Sequence, residues 1–168
     1  MNPTDASQHD DAFLPVLWAY VQQYRRATSA HTCKKLREGL KDALKKWTDM
    51  PVKMVSEAAA ARAADCQQDI FRLLWTDRHR CGVDAGRSKI LWEHTTPLEE
   101  AFKTLTECAD EAAVRRWMQS YSGVCWITRE EDDELNRKGY KSVRPGGWFE
   151  CYTRCGIKVV PRPVPESR

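Results

Sequence analysis

Residues 124–157 read VCWITREEDDELNRKGYKSVRPGGWFECYTRCGI, and the order of signals in this stretch decides the class of fold. Val124, Cys125, Trp126 and Ile127 make an apolar run too short for a helix and bounded by Gly123, which predicts a buried strand. Thr128 stands three residues ahead of Glu131, the spacing of a capping box, so the strand feeds directly into a helix that should end at Gly139. A Pro145-Gly146-Gly147 turn follows, with Trp148 as the anchor of the next segment, and Cys151 and Cys155 fall on one face if that segment is a short helix. Residues 156–160, GIKVV, are a further strand candidate, as are residues 89–94, KILWEH.

Upstream of these strands the apolar residues recur at helical spacing. Phe13, Leu17, Tyr20 or Val21, and Tyr24 follow Asp10 and Asp11, which can cap a first helix. Ser29 precedes a one-sided stripe of Cys33, Leu36, Leu40, Leu44 and Trp47 that should stop before Pro51. Residues 52–79 are rich in Ala, with Val55, Arg62, Cys66, Ile70 and Leu73 on one face, and predict the longest helix of the chain. Thr96, Pro97 and Glu99 combine an N-cap hydroxyl, a proline at the first helical position and a capping-box glutamate. Asp110 then starts another helix that buries Val114, Trp117, Met118 and Tyr121. The sum is a mainly α (α+β) fold: a single compact helical domain of about six helices at residues 11–160, with a small two- or three-stranded sheet from residues near 89–93, 124–127 and 157–160. Residues 1–10 are expected to be disordered, and residues 161–168 to form a Pro-rich extended tail.

Composition narrows the functional classes. At 42% hydrophobic and 30% charged residues, the chain holds enough apolar surface to offset the entropy of folding, unlike a disordered segment. No apolar run approaches the roughly 18 residues of a membrane span, and the acidic start lacks a signal-peptide pattern, so a cytoplasmic protein is expected. The seven cysteines, an odd number without an export signal, read as reduced thiols that mostly fill core positions.

The net charge of +3 is unevenly distributed. Residues 25–46 hold eight Lys and Arg against two acids, whereas residues 130–134 are all acidic. Lys34, Arg37, Lys41 and Lys45 share a helix face and can meet phosphates. Lys141, Arg144 and Trp148 flank the glycine turn, where backbone N–H groups can converge on an anion and an indole can stack on a planar group. Arg87, Lys89 and Arg129 extend this candidate binding set.

For catalysis the best candidates are His94 as general acid or base, supported by Glu93. Cys151 and Cys155 with His79 and Cys81, or with Cys125, could complete a zinc site, but two compact ligand pairs are missing and no metal or cofactor is expected. The chain has no GxxxxGK[ST], GxGxxG, HExxH or GxSxG, and no deaminase His-x-Glu with Pro-Cys-x-x-Cys. These readings together predict a non-enzymatic binding or regulatory module that engages DNA, RNA or an acidic protein through the basic helix and the Arg-Pro-Gly-Gly-Trp loop. The alternatives are a phosphoester-directed hydrolase or nuclease built on His94, and a protein-interaction or inhibitor domain marked by an exposed aromatic patch.

Overall fold

The computed structural model describes residues 3–76, 82–84, 86 and 89–163. In chain order its elements are α1 (Pro3–Arg26), α2 (Ala30–Thr48), β1 (Met54–Ser56), α3 (Glu57–Asp65), a 3₁₀ turn (Ile70–Arg72), β2 (Ile90–His94), α4 (Leu98–Glu107), α5 (Glu111–Ser120), β3 (Val124–Thr128), α6 (Arg129–Arg137), α7 (Trp148–Arg154) and β4 (Val159–Pro161). The α+β class expected from the sequence is observed, with seven α-helices and a four-stranded sheet among the described residues. The chain divides into two units, Met1–Asp49 with Pro97–Ser122, and Met50–Thr96 with Gly123–Arg168. None of the described helices is long and apolar enough to cross a membrane.

The first unit is helical. Ser29 caps α2 as expected, its hydroxyl accepting the Thr32 N–H at 3.0 Å, and the stripe buries Leu40, Ala43, Leu44 and Trp47. Against it pack Leu14, Leu17 and Val21 of α1, Ala101, Phe102 and Leu105 of α4, and Val114 and Met118 of α5. α1 and α2 approach closely at Gly39, where a Cβ would lie 2.6 Å from the Tyr20 ring. α1 starts at Pro3, well before the cap expected at Asp10 and Asp11. The reason is tertiary: His9 bonds the Trp47 carbonyl and the Asp10 carboxylate accepts the Trp47 indole N–H, both at 2.8 Å, so the polar first turns have partners on α2.

α5 begins at the expected Asp110 cap, which accepts the Ala113 N–H at 2.7 Å. The capping box expected at Thr96 and Glu99 does not form. Pro97 occupies the N-cap position of α4 without a side-chain cap, because the Glu99 carboxylate turns to the Arg37 guanidinium and the Lys41 ammonium of α2.

The second unit carries the sheet, in strand order β2-β3-β1-β4. β1 runs parallel to β3, while β2–β3 and β1–β4 are antiparallel. Alternation along the strands separates two cores. Val55, Ile90, Val124 and Trp126 pack with Ala59 and Ala63 of α3 and with Ile70, while Cys125 and Ile127 pack with Leu135 of α6, Cys151 and Tyr152 of α7, and Ile157.

The long helix expected over residues 52–79 is replaced by β1, α3 and the 3₁₀ turn. Val52 and Val55 are buried, Val55 in a strand beside Trp126, and Ser56 then caps α3 by accepting the Ala59 N–H at 3.0 Å. α3 ends at Asp65, and Gln67 adopts a left-handed φ of 56° that no helix continues through. Residues 77–79 lie outside the described residues. The terminator at Gly139 is as expected: φ is 78°, and the Gly139 and Tyr140 N–H groups donate to the carbonyls of Asn136 and Leu135. Of the expected extended tail, Pro161 belongs to β4 and residues 164–168 lie outside the described residues.

Candidate functional site

The segment between α6 and α7 is fixed by turn chemistry before any tertiary contact. The Gly147 N–H donates to the Arg144 carbonyl at 2.8 Å, with Pro145 next and Gly146 at φ 77°, the pattern of a type II turn. Glycine suits position 146 because of this left-handed φ; a Cβ there would also meet the Glu150 carboxylate, which would have to move aside. The buried Cys151 thiol donates to the Pro145 carbonyl at 3.4 Å and ties the turn to α7.

Below the turn lies a buried ion pair. The Arg144 side chain is only 2% exposed and donates through Nη2 to Glu93 Oε1, on a side chain 21% exposed. Two of its nitrogens, Nε and Nη1, and the nearby Tyr152 hydroxyl are buried without partners among the described residues. A guanidinium taken from water and half satisfied is a costly arrangement that must be held by the surrounding packing. Burial pushes the Glu93 carboxyl up to about 7, outweighing the opposing pull of Arg144, and Asp132 adds to the rise. Burial likewise raises the thiol of Cys125, opposite Glu93 in the β2–β3 register, and the Tyr152 hydroxyl.

Above the turn the side chains are apolar. Val143 is 51% and Phe149 66% exposed, and Pro145 also faces water. Trp148 is half-buried, edge-on to Tyr152 at 5.5 Å and to Phe149 at 5.6 Å, so its indole works as a packing anchor. Arg144 therefore does not stand beside Trp148 as a solvent-facing anion ligand, as the sequence suggests, because Glu93 draws it into the unit.

Glu93 and His94 are neighbours in β2 and so leave opposite faces of the sheet. Glu93 shares the face of Cys125, and His94, in register with Val124, shares that of Trp92 and Trp126. The strand thus keeps the imidazole away from the Glu93–Arg144 pair. Among the other expected cations of this unit, Arg129 lies 3.7 Å from Asp132, Lys89 and Lys141 are exposed, and Arg87 falls outside the described residues. The α2 cations belong to the helical unit, where Arg37 and Lys41 share Glu99, Lys45 pairs with Asp42 at 3.0 Å, and Lys34 is exposed. Glu99 is pulled down to about 2 by its bonds to Arg37 and Lys41.

A second place of interest is the crevice where β1 and β3, parallel neighbours, pass into α3 and α6 on opposite faces of the sheet. Such crevices commonly receive ligands. Here Glu131 occupies it: the capping box of α6 forms as expected, and the same carboxylate oxygen accepts the Ser56 hydroxyl at 2.6 Å and the Thr128 N–H at 2.8 Å. The donors are satisfied internally, which makes this a structural joint. No cluster of three or more His, Cys, Asp or Glu suited to a metal occurs among the described residues, and His79 and Cys81 fall outside them.

Sequence reasoning missed the Glu93–Arg144 pair and the exposure of Phe149. The first had a signal: Glu93 follows Leu91 at strand spacing, on the face of a half-buried strand, where an acid calls for a buried counter-charge. No protein-family model, curated protein or solved structure matches the chain.

Proposed function

We propose that the chain is a non-enzymatic protein-interaction module whose binding surface is the turn at residues 143–147 with the first residues of α7. The observation that carries this reading is the exposure of Val143 and Phe149 on the two arms of a turn that is anchored from beneath by Arg144 and Cys151. Interface energy concentrates in aromatic and apolar anchors, and a loop already held in one conformation loses little entropy on binding. The basic-helix reading is less favoured. Three of its four aligned cations are already paired, Arg37 and Lys41 with Glu99 and Lys45 with Asp42, and the helical unit as a whole balances 11 Lys and Arg against 11 Asp and Glu. The hydrolase reading lacks a convergent acid and base, since Glu93 and His94 face apart.

The test is a photo-crosslinking residue at position 143 of the full chain expressed in its native host, with position 133 on α6 as control. The expected result is a discrete protein adduct from position 143 only, together with negligible binding of DNA and RNA oligonucleotides at low salt, where phosphate contacts are strongest. Tight, salt-sensitive oligonucleotide binding that is lost in Lys34→Glu/Lys45→Glu would replace this reading with the basic-helix one.

A further inference from the structure

The turn at residues 143–147 stands out from its unit as a knob. Residues 141–143 on one arm, 145–147 across the bend and Phe149 on the other arm are all exposed. Its outermost side chains, Val143, Pro145 and Phe149, are apolar, so it supplies the buried centre of an interface, and a partner must supply the concavity. The border of the knob is basic. Residues 137–154 hold five Lys and Arg against one acid, Glu150. Arg144 is drawn inward by Glu93, which leaves Arg137, Lys138, Lys141 and Arg154 at the surface. Contacts tie this border to the turn. The Glu150 carboxylate lies against Gly146 and pairs with Arg154, Arg154 Nη1 donates to the Tyr140 hydroxyl at 3.5 Å, and the Lys138 ammonium donates to the Arg154 carbonyl.

Most of these charges are already answered within the unit. Glu134 serves Arg137 at 2.7 Å and Lys138 at 3.4 Å, and Glu150 serves Arg154. Lys141, two residues from Val143, is exposed and has no ion pair among the described residues. Four surface cations against two carboxylates leave a positive margin, and Lys141 is the member of it available to a partner. One such cation beside an apolar knob does not suit a nucleic acid, whose affinity grows with the number of phosphates neutralised. We infer that the knob enters an apolar pocket of a partner protein whose rim carries carboxylates, one of them meeting the Lys141 ammonium. This rests on the reading of the turn as a protein-binding surface. Rim charges act mainly on the rate of encounter, and buried aromatic anchors on the rate of escape.

Stopped-flow kinetics of the full chain with the purified protein captured through position 143 separate the two contributions. The wild-type association rate should fall roughly tenfold between about 50 and about 500 mM NaCl. Lys141→Glu should slow association about tenfold at the lower salt and leave dissociation within about twofold, with unchanged circular dichroism, since the side chain faces water. Glu150→Gln removes the acid of the border and should speed association about twofold, whereas Phe149→Ala should speed dissociation. Association indifferent to salt and to Lys141→Glu, association quickened by Lys141→Glu, or association slowed by Glu150→Gln each overturns the inference. If Phe149→Ala still speeds dissociation in those cases, the turn remains the binding surface. A partner released no faster by Phe149→Ala overturns the underlying reading, and the inference with it. Tight oligonucleotide binding that is lost in Lys141→Glu would assign the knob to a nucleic acid instead and overturn both.

Discussion

Replacing Arg144 by Met removes a guanidinium whose side chain is 2% exposed and leaves Glu93, 21% exposed, without its counter-charge. Breaking a buried pair from one side typically costs about 3–5 kcal/mol. Two features of this pair lower the figure. Arg144 already keeps Nε and Nη1 unsatisfied, so Met, of comparable length, relieves a penalty of about 1–3 kcal/mol. Glu93, raised to about 7 by burial, can escape by taking a proton. The cost of Arg144→Met should therefore depend on pH: about 3 kcal/mol near pH 8, where Glu93 must be ionised or forced to protonate, and under about 1 kcal/mol near pH 5.5, where the wild type already holds Glu93 neutral beside a buried cation. Glu93→Leu/Arg144→Met should be within about 1 kcal/mol of wild type at both pH values, since an apolar pair replaces an ionic one. Urea unfolding followed by tryptophan fluorescence reads these differences as shifts in midpoint at unchanged slope. Equal destabilisation by Arg144→Met at the two pH values, or a double variant less stable than the single, would refute the reasoning.

Other consequences are also measurable. Glu99 has a folded-state pKa of about 2 against an ordinary 4.5, so its contribution is complete above pH 4.5 and lost as pH falls toward 2; with a side chain 28% exposed, the loss should be about 1 kcal/mol, and Glu99→Gln should flatten that part of the stability–pH curve. Gly146→Ala forces a left-handed φ of 77° on an alanine, for an expected cost of about 1 kcal/mol in thermal unfolding, which Glu150→Ala should leave largely unrecovered because the Glu150 carboxylate can swing aside. Ser56→Ala removes a hydroxyl that both caps α3 and bonds Glu131; it should cost about 1–2 kcal/mol and combine with Glu131→Ala by less than the sum of the two.

What the sequence revealed was local. Ser29 and α2, Asp110 and α5, and Thr128 with Glu131 and Gly139 around α6 are each specified within a few residues, and the structure reproduces them. The strands at Ile90–His94 and Val124–Thr128 were legible from apolar runs bounded by turn residues. β1 was not, because Val52 and Val55 fit the helical period of the alanines that follow, and only pairing with β3 some 70 residues later makes Met54 and Val55 a strand. Glu99 illustrates the same limit: its capping position was readable, but the competing cations on α2 were not. For the candidate site the sequence located the segment and mistook its chemistry. An arginine beside Pro-Gly-Gly has the signature of an anion loop, and only the distant Glu93 turns it inward, leaving Val143 and Phe149 outermost.

The central claim, that a pre-formed apolar turn binds a protein, is tested most directly by titrating the partner captured at position 143 against wild type and Phe149→Ala in a calorimeter. The expected result is a loss of about 2 kcal/mol, roughly thirtyfold in affinity, with no change on Lys34→Glu/Lys45→Glu. Unaltered affinity in Phe149→Ala, with binding lost in the lysine variant, would contradict the account.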